Sequence, residues 1–275
     1  MRIEPTVASY TEGDAFQAEK RALFGASWLP VCHRAELGAT GSFTAQTIGG
    51  WPVFAVRGED DAVRVFRNVC RHQGMQVVEK SPGKCAEFRC RYHGWTYDLA
   101  GRFVTAPDNV APADRSSPEH NLVQLASVDV HGFVLCSVGA RSGTLDAGEA
   151  AWPDPDASRA SVTSEIACNW KTYLEHRLLH EDASLVWPLL ITQRIGSGVI
   201  AEQVVPRTFL RTRVVFHATG VGADALAAHV DAVRSGCEAL QRERAAGSLP
   251  VLTDRVGAMW ARIGEALAHD VPPPA

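Results

Sequence analysis

The sequence predicts an α+β protein in two parts, an antiparallel β domain followed by a helix-and-sheet domain. Three observations carry this. Short runs rich in Val, Thr and Phe, broken by glycine, recur through residues 28–140. A stretch rich in Gly, Asp, Ala and Pro follows them. Beyond it, helical spacing and β runs mix, and the chain closes on two helices. At 275 residues and 46% hydrophobic composition, the chain is long enough to bury two cores.

Taken in order, a helix is predicted over residues 14–24, where Ala15, Phe16, Ala22 and Leu23 are available to pack. Strands follow over 42–48, ending at Gly49-Gly50, then over 52–56 and 62–66. Further strands fit 87–89, 96–98, 122–128 and 132–138, with Gly101 and Gly132 among the turn signals. The linker covers 141–158. A helix from 169 to about 182 places Trp170, Tyr173, Leu174 and Leu178 at helical spacing. Runs over 199–205 and 208–218 flank Pro206-Arg207 as a hairpin would. Helices over 223–246 and 253–268 finish the chain, the first stopping at Gly247 and Pro250. The domain assignment is therefore 1–27, a helical segment packing on the C-terminal domain; 28–140, the β domain; 141–158, the linker; and 159–275, the second domain.

The net charge of −4 and the lack of basic runs argue against nucleic acid as a main partner. No stretch has the length and apolarity of a membrane span, and the N-terminus has no apolar signal region, so the expected location is the cytoplasm. Of seven cysteines, Cys32, Cys85, Cys136, Cys168 and Cys237 are scattered and read as buried or free thiols of a reducing compartment.

The other two belong to the most informative pattern in the chain. Cys70-Arg71-His72 and Cys90-Arg91-Tyr92-His93 stand 17 residues apart, and each contributes one thiolate and one imidazole. Two cysteines on one iron and two histidines on the other are the ligand set of a Rieske [2Fe–2S] cluster. Thiolates favour the iron that stays ferric, and neutral imidazoles leave the second iron easier to reduce. Gly74 and Gly94 follow the two motifs and allow the tight backbone that such a pocket needs. The competing assignment is a Cys2His2 zinc site. Zinc ligands usually run as cysteine pairs and then histidine pairs, whereas here the two types alternate, which favours the cluster. The histidine rings should reach the surface, where an electron enters or leaves.

With their flanks, Asn68-Val69-Cys70-Arg71-His72 and Cys90 through Gly94-Trp95-Thr96-Tyr97-Asp98 closely resemble the cluster loops of the α subunits of Rieske non-haem iron oxygenases. This family comprises ring-hydroxylating dioxygenases and related monooxygenases. The resemblance continues through Asn169-Trp170-Lys171 with Glu175, the segment from Gln203 to Arg213, and Cys237-Glu238 with Gln241, so nearly the whole chain can be laid on the family in order. It implies a Rieske domain joined to a helix-grip domain, here truncated, and assembly as a trimer. Respiratory Rieske proteins are similar too, but they carry an extra disulfide where Met75 and Tyr92 stand. They also have a serine, hydrogen-bonded to a bridging sulfur, where Trp95 stands. Fewer such bonds imply a potential near the low end of the Rieske range, about −150 mV, suited to electrons from a ferredoxin or flavin reductase.

The family's second metal is an Fe(II) held by two histidines and a carboxylate. By the resemblance, the histidine positions fall on Asp182 and Trp187, the carboxylate on Val233, and the acidic residue bridging cluster to iron on Leu179. Only 45 residues separate Trp187 from Val233, where the family has a much longer stretch building the substrate cavity. The expectation is a chain without mononuclear iron and without a catalytic residue of its own. It would be an accessory or electron-transfer subunit in a homo- or hetero-trimer, or with an iron-bearing paralogue. Two alternatives stay open. One is an active oxidoreductase using the cluster itself or a rebuilt iron site, for which His176 and His180, about 40° apart on one helix, would need a carboxylate from Glu175, Glu181, Asp182 or Asp231. The other is a structural subunit that keeps the cluster for stability. His33, His120, His131, His217, His229 and His269 read as ordinary polar residues. Arg207, Arg211 and Arg213 read as one solvated face, and Trp51, Trp152 and Trp260 as packing residues.

Overall fold

A computed structural model describes residues 4–139, 144–145, 152–154 and 156–268. Most of the predicted linker and His269 lie outside the described residues. The chain divides into two compact units, 31–138 and the combination of 1–30 with 139–275.

The first unit is antiparallel β. Its larger sheet runs β1 (Trp28–His33), β10 (Phe133–Ser137), β9 (Gln124–Val130), β4 (Val63–Arg67), β3 (Trp51–Arg57), β2 (Ser42–Ile48) and β5 (Gly83–Lys84). The β2–β3 turn is Gly49-Gly50 with φ of 53° and 83°, left-handed values at both positions that join two twisted strands without splaying them. A second sheet holds β6 (Phe88–Arg89), β7 (Thr96–Tyr97) and β8 (Phe103–Thr105). Strands of two or three residues are too short to hold themselves. They rely on a core of Phe54, Phe66, Phe88, Trp95, Tyr97 and Leu122, in which Cys70 and Cys90 are themselves buried.

The second unit carries a five-stranded antiparallel sheet in the order β11 (Arg159–Ile166), β15 (Arg211–Thr219), β14 (Gly198–Thr208), β13 (Leu190–Ile195) and β12 (Ala183–Val186). Around it lie α1 (Val7–Thr11), α2 (Gly13–Ala22), α3 (Trp170–Leu178), α4 (Ala223–Ala245) and α5 (Asp254–Ala268). Together the two units form a mixed α+β fold, as the sequence predicts. Helix α1, unforeseen, starts at a Thr6–Ser9 capping box. Helix α3 begins where the Asn169 side chain accepts the Lys171 N–H, and eight of its nine residues are buried, including Lys171, Glu175 and Arg177.

Two expectations need correction. Helix α3 stops at Leu178 rather than near 182, because the chain must extend at Ala183–Val186 to pair with β13. The β14–β15 turn is at Phe209-Leu210, and Pro206-Arg207 lies inside β14. Proline is tolerated there because pairing with β13 ends at Gln203, so no strand on that side needs its missing N–H. A bulge between Pro206 and Thr208 absorbs the irregularity.

Candidate metal centre

The two motif loops fold alike. In each, the cysteine N–H donates to a carbonyl five residues on, Cys70 to Met75 and Cys90 to Trp95, and a glycine N–H returns to the cysteine carbonyl. Those glycines, Gly74 and Gly94, have φ of 74° and 71°, the left-handed conformation that a side chain would strain. The loops bring the four predicted residues together. Cys70 and Cys90 are buried free thiols, and the rings of His72 and His93 meet edge to face with centroids 4.7 Å apart. Both rings are half-buried.

The surroundings favour a bound group. Nδ1 of His72 and Nδ1 of His93 are both buried without a hydrogen-bond partner. A buried imidazole nitrogen left unpaired is costly unless something coordinates it. Burial raises the Cys70 thiol pKa, as does the neighbouring Cys90, while hydrogen bonds from Tyr97 and the His72 N–H lower it. The donor set therefore fits a [2Fe–2S] cluster, with two thiols on one side and two free imidazole nitrogens on the other.

Each histidine has its own wall. His72 stacks on the buried Trp95 at 5.1 Å and 7°, and Trp95 Nε1 donates to the Val110 carbonyl. His93 lies against Tyr92, centroids 3.8 Å apart, and Tyr92 is 57% exposed. Tyr97 was not singled out in the sequence for any role at the site, although it lies only seven positions after Cys90. Its oxygen accepts the Arg71 N–H at 3.1 Å, which leaves its O–H to donate to the Cys70 Sγ, also at 3.1 Å. With a cluster bound, that bond would offset part of the low potential expected from Trp95. Tyr97→Phe is expected to lower the cluster midpoint by about 40 mV, the one-electron equivalent of about 1 kcal/mol. Protein-film voltammetry reads this directly, and an unchanged potential would show that the bond does not act on the cluster.

The positions assigned to mononuclear iron look different. Asp182 accepts both contacts of Gln193 Nε2, at 2.9 and 3.0 Å. Trp187 lies under the Arg262 guanidinium, Val233 is buried, and Leu179 is 59% exposed. His176 and His180 do adjoin, with ring centroids 5.6 Å apart. Of the carboxylates that might join them, Glu175 accepts Tyr10, Trp260 and Arg244, Asp182 is held by Gln193, Asp231 pairs with Arg234, and Glu181 is exposed.

His176 is pressed against α4, where a Cβ at Gly236 would collide with its ring. Burial, with Arg177 and His180 beside it, lowers its pKa to about 4. A folded-state value below the unfolded one means that stability is complete above about pH 6.5 and is lost as pH falls toward 4. Because the ring is partly exposed, the expected loss between pH 7 and 5 is discounted to about 1 kcal/mol. Urea titrations of the parent and His176→Gln at both pH values check this, and equal losses would refute it.

The interior of the second unit holds a polar network that the sequence analysis missed. Glu202 on β14 is fully buried and takes Arg177 Nε at 2.9 Å, Tyr173 Oη at 2.7 Å and His229 Nε2 at 2.9 Å. Burial alone would raise its pKa, but Arg177 and His229 hold it below the usual carboxylate range. Arg177 also donates to Gln193, which continues to Asp182. His229 is thus no ordinary surface histidine. A single acid inside the apolar run 199–205 was the one available hint.

Comparison with known proteins agrees with this geometry. Residues 27–128 match the Rieske [2Fe-2S] domain family. The chlorobenzene dioxygenase α subunit of Cupriavidus sp. (strain PS12) is 40% identical over 106 residues, which are 38% of this chain and 23% of that one. The benzene 1,2-dioxygenase α subunit of Pseudomonas putida is 39% identical over 183 residues, 62% of this chain and 40% of that one. The chain therefore matches less than half the length of these relatives. Among solved structures, a quaternary ammonium Rieske monooxygenase bound to gamma-butyrobetaine superposes with a TM-score of 0.75 at 19% identity, covering 97% of this chain and 95% of that one.

Proposed function

The chain carries a Rieske [2Fe–2S] domain and is a relative of ring-hydroxylating oxygenase α subunits, and on that premise we propose that it is an electron-transfer subunit of an oxygenase system, without mononuclear iron of its own. In this reading Cys70 and Cys90 hold one iron, and His72 and His93 hold the other through Nδ1. The bound cluster supplies storage and transfer of one electron. The protein's own part is to keep the thiols dry, to hold the Cys70 sulfur by the Tyr97 hydroxyl, and to present two half-buried imidazoles for electron exchange.

The observation that carries the reading is the pair of buried, partnerless Nδ1 atoms on loops that also bury both thiols. The absence of mononuclear iron is supported by Asp182, Trp187 and Val233 at the ligand positions, and by Asp182 being engaged by Gln193. A ferredoxin or flavin reductase is the proposed donor. An iron-bearing oxygenase paralogue is the proposed acceptor, and a homo- or hetero-trimer is the proposed assembly. Among the described residues no helix is long and apolar enough to cross a membrane.

The test is iron and acid-labile sulfide per chain on anaerobically purified protein, with a low-temperature EPR spectrum of the dithionite-reduced sample. Two irons, two sulfides and a Rieske-type signal are expected. A third iron would overturn the cluster-only reading and make His176 and His180 the first residues to replace. Zinc without sulfide would overturn the cluster itself.

A further inference from the structure

A sheet edge is a row of N–H and C=O groups open to another strand, and proteins usually blunt it. Among the described strands, the sheet edges are β1, β5, β6, β8, β11 and β12. Strands β5, β6 and β8 are only two or three residues long. Strand β1 carries Pro30, and its Val31 carbonyl accepts the Gln46 side chain. Strand β12 has four residues, and Arg255 donates to its Ala183 carbonyl. Strand β11 has none of these devices. It runs eight residues, Arg159–Ile166, without Pro, Gly or Lys, and keeps one unbroken register with β15. Its outer side pairs with no described strand.

The cover over its core face also runs out at this edge. Ala160, Val162, Ser164 and Ile166 stand opposite Ala218, Phe216, Val214 and Thr212 of β15, all four buried. Ser164 and Ile166 are buried too, but Ala160 is exposed, and Val162 is 38% exposed beside the fully buried Phe216.

We propose that β11 is a self-pairing edge. A second copy of this chain lays its own β11 antiparallel beside it, about a two-fold axis at Val162, joining two five-stranded sheets. The strand is complementary to itself in this register. Arg159 falls opposite the second copy's Glu165, Ala160 opposite Ser164, Ser161 opposite Thr163, and Val162 opposite Val162. Opposite charges therefore meet at both ends, and the two valines cover each other at the axis. Glu165 already pairs with Arg213, directly across on β15, so the second copy's Arg159 extends a ladder of alternating charge. Asp154 and Asp156 precede the strand and lie outside the paired stretch. A slip of one residue sets core face against outer face, and a slip of two loses both charge pairs. The contact does not depend on the cluster reading, and it doubles whatever assembly the chain otherwise forms.

The experiment uses cluster-loaded full-length protein, weighed by light scattering after size-exclusion chromatography at micromolar concentration. The parent particle should hold an even number of chains. V162K sets two ammonium groups side by side at the axis and should halve the particle mass, with circular dichroism and EPR spectra unchanged. A cysteine pair tests the register and decides alone if V162K loses its fold. With glutathione disulfide as oxidant, V162C should become a covalent dimer, two protein thiols giving one disulfide while the oxidant is reduced to two thiols. Only position 162 meets its own copy, at about 5 Å between Cα atoms, within disulfide reach. The two copies of A160C lie about 13 Å apart along the strand, so A160C should stay uncrosslinked, as should the parent. An odd number of chains in the parent, or an unchanged mass in a folded V162K, overturns the pairing. So does a V162C that fails to crosslink, or one that crosslinks no better than A160C.

Discussion

Cys70→Ser is expected to abolish the Rieske EPR signal, remove most of the iron, and unfold the first unit while the second stays folded. The reason lies in how that unit is built. Its smaller sheet has strands of two and three residues, and the core beneath them includes both cysteines, with Trp95 from the loop that follows Cys90 and Tyr97 from β7. A metal group that binds only the folded state contributes its binding free energy to folding. Losing it should cost several kcal/mol, well above the roughly 1 kcal/mol of a typical point substitution. Cys85→Ser, which replaces a half-buried thiol outside both motifs, should keep iron and signal. Differential scanning calorimetry with iron analysis reads both effects. A Cys70→Ser protein that keeps its Rieske signal would remove Cys70 from the ligand set.

Glu202→Ala is expected to destabilise the second unit by about 3–5 kcal/mol, because it strands the buried Arg177 guanidinium without its counter-charge. Tyr173 and His229 lose the same acceptor. Replacing both partners, as in Glu202→Leu with Arg177→Met, should cost much less than the single change, since no charge is left buried and unpaired. Urea denaturation of the parent and these two variants, followed in the second unit, makes the comparison. A loss below about 1 kcal/mol for Glu202→Ala would show that water reaches Arg177 and relieves it.

The pH effect at His176 and the potential shift at Tyr97 are smaller, but they probe the two units separately. His176 reports the packing of α3 on α4, and Tyr97 reports a single hydrogen bond to one sulfur.

The cluster loops were legible in the sequence because they are local. Cysteine, histidine and glycine within five residues, repeated once, specify donors and a turn before any long-range contact forms. The β2–β3 hairpin was legible for the same reason, with Gly49-Gly50 between two alternating runs. Element order and the α+β class follow from periodicity. What only the tertiary structure decided is which distant groups meet. Glu175 accepts Tyr10 from 165 positions away and Trp260 from 85, and Glu202 draws in groups from α3 and α4. No spacing rule reaches across such separations. Burial then determines how each group behaves, because an acid unpaired in the interior is costly and one with three donors is not. The same logic overrode local signals at Pro206 and at 179–182, where pairing with neighbouring strands outweighed a proline turn and a helical period.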